Sequence, residues 1–461
     1  MLGPGSVDDQ NVNRTLLTAL LLASSQAPLG STLIAVAIPS IAQGLQTDTV
    51  QVTTLLVVSY LVTTVLFQGP GGRLSDLAGH SYTLWLGIGL FALGSIAGLV
   101  SPNLVLLSFS RSVTAVGGAL VVPATMALMR ELVASERRGR VFGTFGAVMA
   151  LSAAIGPVVG GEIVGLFGWR AIFLASLPFL ATAAVLLRLQ PPPQRPATAA
   201  QTGNFLRSID VLGLVVFGIA LGLLVASARA DGTARPAMLT AGLLAGAGFV
   251  IRQSRSLNPT LDVRLLLNPV MAGATAIMAL QNFAMYGLLF QLPVFFEHFR
   301  GAPPRIVGYG LFSMMIGMVI ASPLGGRGTD RLGSRMAGAI GAAVLSAGSL
   351  LLLRLPLFAT PGDAVPYLLV FGFGMGLSSA PAQSSAMVAV PPSQAGMAAG
   401  LSSTMRYLGG IATIGVQAAV LGTDSSVSLF QHETLVALYC TAALLSLAAT
   451  SLLPPKGTPQ T

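Results

Sequence analysis

The chain has 461 residues, of which 53% are hydrophobic and only 8% are charged. Soluble domains carry about 25% charged residues, so this composition excludes an ordinary soluble protein and indicates an integral membrane protein in a lipid bilayer. The net charge of +9 would raise the question of nucleic-acid binding. We expect no nucleic-acid partner, because the basic residues fall in short connectors between apolar runs.

Six long apolar runs fill the first part of the chain. Each approaches or exceeds the ~20 residues that a helix needs to cross about 30 Å of hydrocarbon. The predicted helices are 15–41, 51–70, 82–100, 104–130, 140–165 and 169–188. They form a predicted N-terminal six-helix bundle, residues 1–188.

A stretch rich in Pro and Gln, residues 190–208, is predicted to be a cytoplasmic linker. Two further apolar runs, 209–229 and 236–252, follow it, and a basic connector, 252–268, comes next. The region 189–268 is therefore predicted to hold cytoplasmic linkers and two inserted transmembrane helices.

Six more apolar runs complete the chain and form a predicted C-terminal bundle, residues 269–461. They are 269–296, 304–325, 336–356, 364–389, 395–422 and 433–453. The predicted fold class is all-α and membrane-integral, with two six-helix bundles plus an inserted pair, giving fourteen transmembrane helices.

One string occurs twice, as residues 71–79 and 325–333, with the pattern Gly-Gly-Arg-x-x-Asp-x-x-Gly. Each copy follows the second helix of a six-helix set, which indicates two related halves. Internal repeats of apolar helices are typical of secondary transporters. The residues that we predict to form a gating motif are Gly72, Arg73, Asp76, Gly79, Arg327 and Asp330. The alternative is that Asp76 and Asp330 only anchor connectors.

Arginines concentrate in alternate connectors, for example Arg137, Arg138 and Arg140, and later Arg331 and Arg335. Cytoplasmic loops carry such an excess of basic residues. We therefore expect both termini to be cytoplasmic.

Several strings resemble motifs of one family, in the same order and on corresponding helices. Leu29–Pro39 is similar to a Leu-Asp-x-Thr-Ile-Val-x-x-Ala-Leu-Pro string of helix one. Arg111, with Gly117 and Pro123 beyond it, is similar to an Arg-x-x-Gln-Gly-x-Gly motif of helix four. The residues that resemble an antiporter motif of helix five are Gly156, Pro157, Gly160 and Gly161.

The chain thereby resembles the major facilitator superfamily, and within it the fourteen-helix drug:proton antiporter family. The resemblance implies a monomeric secondary transporter, a multi-pass protein of a bacterial plasma membrane. It also implies the export of a lipophilic small-molecule substrate against protons, by alternating access of two bundles.

The chain differs from that family at positions that the resemblance implicates in proton transfer. Gly30 stands where the family usually has an acidic residue, and Glu162 is an additional acid directly after Gly161. We predict proton coupling through Glu162 with Arg111 as its charge partner, both facing the central cavity. Two alternatives stay open: Glu162 lies near the outer interface, and Arg111 snorkels to the outer surface.

Uncharged polar residues within the apolar runs predict a substrate cavity, since amides and phenols orient a ligand among apolar neighbours. The predicted cavity residues are Gln26, Tyr60, Arg111, Gln281, Asn282, Tyr286, Gln291 and Gln383. Interhelical hydrogen bonding is the alternative role for each amide or phenol.

The sequence lacks a phosphate-binding loop and a nucleophile elbow, so we expect neither an ATPase nor an enzyme of that class. His80, His298 and His432 fall at predicted loop positions, and Cys440 is the single cysteine, so no metal site or cofactor is predicted. The remaining alternatives are a lipid or metabolite exporter, a proton-independent facilitator and, more distantly, a non-transporting membrane receptor or enzyme.

Overall fold

The computed structural model describes residues 14–133, 135–193, 210–228, 230, 232–256, 259, 261–354, 360–391, 395–421 and 428–456. All the long elements within these residues are helices, and they occur where the apolar runs predict them. The first six are α1 (Arg14–Gly44), α2 (Thr49–Ala78), α3 (His80–Val100), α4 (Leu104–Leu132), α5 (Ser135–Phe167) and α6 (Trp169–Leu189).

The described part of the chain contains eight further long helices. They are α7 (Val211–Ser227), α8 (Ala234–Arg255), α9 (Pro269–Arg300), α10 (Pro304–Leu332), α11 (Ser334–Leu352), α12 (Pro361–Val388), α13 (Ala395–Leu421) and α14 (Leu429–Ala449). Twelve of the helices in the described residues are long and apolar enough to span a membrane, and α7 is a shorter apolar helix.

Local sequence explains where these helices begin and where some are interrupted. The side chains of Asn103 and Asn268 accept hydrogen bonds from backbone N–H groups in the first turns of α4 and α9. Capping boxes at Thr360 and Ser428 start α12 and α14. A short 3₁₀ turn, Ala35–Ala37, interrupts α1 just before Pro39, because a proline inside a helix disturbs its hydrogen bonds.

The two copies of the repeated string have the same geometry. Gly79 and Gly333 both have positive φ, 97° and 84°, and turn the chain from one helix into the next. A Cβ on Gly71 would lie 2.5 Å from the Ala119 carbonyl oxygen of α4, and one on Gly325 would meet the Leu377 carbonyl of α12. Because α12 holds the same place in the second set as α4 in the first, the halves repeat in structure as well as in sequence.

The helices form two six-helix bundles, α1–α6 and α9–α14, with α7 and α8 as an added pair. The bundles meet where α5 packs on α10, α2 on α13 and α1 on α9. Helix α7 packs against both α2 and α13. The interface between the bundles is therefore the place where residues from both halves can surround a ligand.

Candidate substrate and gating sites

Arg111 of α4 lies inside the first bundle, with a relative exposure of 5%. Its Nη2 donates a hydrogen bond to the Gly30 carbonyl oxygen at 3.1 Å, and its Cζ lies 4.3 Å from the centroid of the Tyr60 ring. The Tyr60 hydroxyl in turn donates to the Ala27 carbonyl at 2.9 Å. The structure thus buries this guanidinium between α1, α2 and α4, and it does not snorkel.

The second bundle carries further aromatic and basic side chains on α9 and α13, the helices that pack on α1 and α2. The ring of Tyr286 of α9 packs against Gly410 of α13, where a Cβ would lie 2.8 Å from it. On α13, Arg406 donates from Nη2 to the Gln383 Oε1 at 3.0 Å. We call Tyr60, Arg111, Tyr286, Arg406 and Tyr407 the central cluster.

Three of the predicted cavity amides are engaged in hydrogen bonds with neighbouring residues. Gln281 donates to the Ser378 hydroxyl at 2.6 Å, which joins α9 to α12. Asn282 donates to the Met278 carbonyl of its own helix at 2.8 Å, and Gln26 to the Leu22 carbonyl at 3.1 Å. These bonds are of the interhelical or intrahelical kind, so these amides contribute to packing in this state.

Gln291 lies away from the central cluster, towards the end of the bundle where α9 finishes. Its Nε2 is 2.6 Å from the Nδ1 of His432, whose ring stacks on Phe295 with centroids 3.8 Å apart. His432 is buried within α14, His80 begins α3 and His298 lies in α9. The prediction that these histidines occupy loops was wrong. Helix α14 begins after its Ser428 cap, α9 continues to Arg300, and α3 begins at His80 directly after Gly79, so all three helices extend beyond the apolar runs.

The same end of the molecule holds the closest contact between the bundles, which we call the closed end. Glu162 of α5 accepts hydrogen bonds from the Arg305 Nε and the Tyr309 hydroxyl of α10, both at 2.6 Å. Gln43 of α1 also donates to Glu297 of α9 there. The structure therefore places Glu162 with Arg305 and Tyr309, and it does not bring Glu162 to Arg111.

The glycines of the antiporter motif give α5 two close neighbours. A Cβ on Gly160 would lie 2.5 Å from the Leu33 carbonyl oxygen of α1, whereas one on Gly161 would lie 2.8 Å from the Pro304 carbonyl oxygen of α10. A Cβ on Gly156 would meet Thr32, and the Thr32 hydroxyl bonds the Ala153 carbonyl at 2.9 Å. The motif thus lets α5 pack on its own bundle and on the other bundle together, as small residues do at membrane helix interfaces.

The gating motif lies at the opposite end of α2 and α10 from these contacts. Arg73, Arg327 and Asp330 are exposed there. The side chain of Asp76 lies outside the described residues, so its role in the gating motif stays a prediction.

Sequence reasoning missed Arg305, Tyr309 and Tyr407 as partners of the predicted residues. Arg305 follows Pro304 at the start of an apolar run, and Tyr407 follows Arg406 inside one. A polar residue at such a position was a signal, but the sequence does not show which helix it meets.

The profile of the Major Facilitator Superfamily matches residues 20–414. The chain belongs to the major facilitator superfamily. It is 31% identical over 417 residues to the methylenomycin A resistance protein of Streptomyces coelicolor, covering 89% of this chain and 86% of that protein. It is also 29% identical to the multidrug resistance protein Stp of Mycobacterium tuberculosis, covering 82% and 70% of the two chains.

Solved structures of the superfamily share the fold. A D-xylose-proton symporter superposes with a TM-score of 0.68 at 15% identity, covering 96% of this chain and 99% of that one. A POT family transporter in complex with a thioalcohol-conjugated peptide gives a TM-score of 0.67 at 15% identity, covering 95% and 94%. At this identity the likeness shows the fold alone.

Proposed function

We propose that this protein exports lipophilic small molecules from bacteria, with the central cluster as the substrate site. The observation that carries the proposal is that Arg111 lies over the Tyr60 ring of α2, and that α2 and α1 pack on α13 and α9, the helices of the other bundle that carry Tyr407 and Tyr286. Relatives named for multidrug and methylenomycin A resistance support a drug or natural product as the substrate. Aromatic faces with a few polar groups bind apolar ligands of varied shape.

The charge of the central cluster restricts the substrate class. Arg111 and Arg406 are its ionised members, and the cluster contains no carboxylate. We therefore propose that substrates are neutral, zwitterionic or weakly anionic, because a multiply cationic compound would be repelled by two guanidinium groups.

Alternating access supplies the mechanism, with the two bundles rocking about the central cluster. With both termini cytoplasmic, the closed end faces outward, and the structure corresponds to a state that is shut on the outside. Substrate enters from the cytoplasm or the inner leaflet, and release requires α5 to separate from α10.

We propose proton antiport as the energy source, with Glu162 as the titrating group. Opening the closed end would free the Glu162 carboxylate from Arg305 and Tyr309 and expose it to the more acidic side of the membrane. A proton-independent facilitator, or an exporter of lipids or metabolites, is the second candidate, since Gly30 leaves the first helix without an acid.

Purified protein in liposomes tests both candidates with a neutral fluorescent lipophile. Proton antiport predicts that an imposed pH gradient accelerates its movement, and that Glu162→Gln abolishes this acceleration while the protein still folds. Glu433→Gln, near the start of α14, serves as the control and should retain coupling. If the pH gradient still accelerates transport in Glu162→Gln, Glu162 is not the titrating group. If the pH gradient does not change the rate at which the wild-type protein moves the lipophile, the facilitator is favoured.

A further inference from the structure

The guanidinium of Arg111 has no counter-charge among the described residues. None of the ion pairs found there involves it; its contacts are the Gly30 carbonyl and the Tyr60 ring, and its Nε has no hydrogen-bond partner. A charged group that is taken out of water without a partner costs several kcal/mol. One carbonyl and one aromatic face compensate only part of that cost.

A small cavity lies beside this guanidinium, enclosed by α1, α3, α4 and α6. About 20 Å³ of it is open to the centre of a water molecule, and a single water needs about 10–15 Å³ by this measure. The cavity therefore has room for one water or one ion of similar size. Its polar lining consists of Arg111, Ser95, Thr114 and Ser176. The Thr114 hydroxyl already donates to the Ser110 carbonyl at 2.8 Å, so the donors left for a ligand are the guanidinium and the hydroxyls of Ser95 and Ser176.

Gly30 explains why the cavity is empty of protein atoms. A Cβ built on Gly30 would lie 3.5 Å from the Phe91 Cζ and 4.0 Å from the Arg111 Nη1, both of which are ordinary or looser contacts. A Cβ at this position therefore fits, and it lies close enough to the guanidinium for a carboxylate carried on it to approach that group. The chain has a hydrogen atom there instead, so none of the described residues supplies a counter-charge at this position.

We propose that the cavity beside Arg111 binds one small monovalent anion, chloride in the cell. The ion would accept hydrogen bonds from the guanidinium and from the hydroxyls of Ser95 and Ser176, beside Gly30. Such charge-assisted bonds are about twice as strong as neutral ones. Arg111 belongs to the central cluster as well, so this anion site adjoins the proposed substrate site and holds one small ion only.

Thermal unfolding of the purified protein in detergent tests the proposal, with chloride replaced by gluconate at constant ionic strength. The unfolding midpoint should rise saturably with chloride or bromide, because a ligand that binds only the folded state stabilises it. Gly30→Asp should abolish this dependence while keeping a midpoint near that of the chloride-saturated wild type. Anomalous scattering from bromide crystals should place the ion beside Arg111.

Arg170→Gln is the matched control, since the Arg170 guanidinium also lies over an aromatic ring, that of Trp169 at 4.1 Å, but is exposed. This variant should keep the full halide dependence. A midpoint equal in chloride and gluconate would show that the cavity holds water only and would overturn the proposal, as would a dependence that survives in Gly30→Asp. None of these readouts needs transport, so they are independent of the export function.

Discussion

The contact between Gly161 and α10 predicts how a single methyl-bearing side chain would shift the balance between the two states of the transporter. A Cβ on Gly161 would lie 2.8 Å from the Pro304 carbonyl oxygen and 2.9 Å from the Arg305 Cα, closer than real side chains approach backbone atoms. Backbone atoms cannot rotate away, so α5 and α10 must separate. Gly161→Val should therefore destabilise the shut closed end and leave the opposite state unaffected.

The size of the effect follows from packing energetics. Inserting extra methyl groups into a tight contact costs about 1–3 kcal/mol, which corresponds to a shift of about 5- to 150-fold in the ratio of the two states. Gly161→Ala should give a smaller shift in the same direction.

Spin labels on Pro102→Cys and Gly362→Cys would report the separation of the bundles at the closed end, in a Cys440→Ala background. The wild-type protein should show mainly a short distance between the two spin labels. In Gly161→Val a larger fraction of the molecules should show a longer distance. Gly165→Val is the matched control, because it lies one turn further along α5 and nothing is within 4 Å of a Cβ built there. An unchanged distance distribution in Gly161→Val, or an equal change in Gly165→Val, would refute the reasoning.

Two further predictions concern charged residues at helix ends. The Arg252 side chain donates hydrogen bonds to Asp210, with a shortest distance of 2.7 Å, and these bonds lower the pKa of the Asp210 carboxyl. This stabilisation is present above the ordinary pKa of about 4 and is lost as the pH falls through the lowered value. Asp210→Asn should therefore lower the unfolding midpoint at pH 7, and the difference in midpoint between this variant and wild type should shrink in acid. A difference in midpoint that does not depend on pH would contradict this. Asp262→Asn is the control. For the repeated string, Asp76→Asn and Asp330→Asn should each slow transport in liposomes if the string gates the cytoplasmic side, with the larger loss in Asp330→Asn because Arg331 and Arg335 flank that copy. Equal, wild-type rates in both variants would favour the simple anchoring role.

The sequence predicted the helices well because their signals are local. Apolar runs of sufficient length, capping residues such as Asn103 and Asn268, and the turns at Gly79 and Gly333 lie within a few residues of the elements they define. The His432 error has the same origin, since Ser428 began α14 before the hydropathy rose.

The orientation of each helix was not predictable in the same way. In a membrane protein the residues that face lipid are as apolar as those that face the core. Phe91 is 2% exposed and Phe109 is 67% exposed, yet nothing in the residue type distinguishes them. Whether Gln281 lines a cavity or bonds Ser378 depends on the rotation of α9 about its axis. The neighbouring residues in the sequence are nearly all apolar, so the sequence does not determine that rotation.

By itself, the sequence determined a two-fold repeated helical membrane protein, its added helix pair and its resemblance to one superfamily, because length, composition and repeated turns are properties of the chain alone. Only the tertiary structure decided that Glu162 meets Arg305, which is 143 residues away in sequence, and that Arg111 lies buried beside a small cavity at Gly30. Those pairings depend on which helix faces bring polar atoms together in a medium without water. A buried charge there must find a partner, and its location is fixed only when the bundles pack.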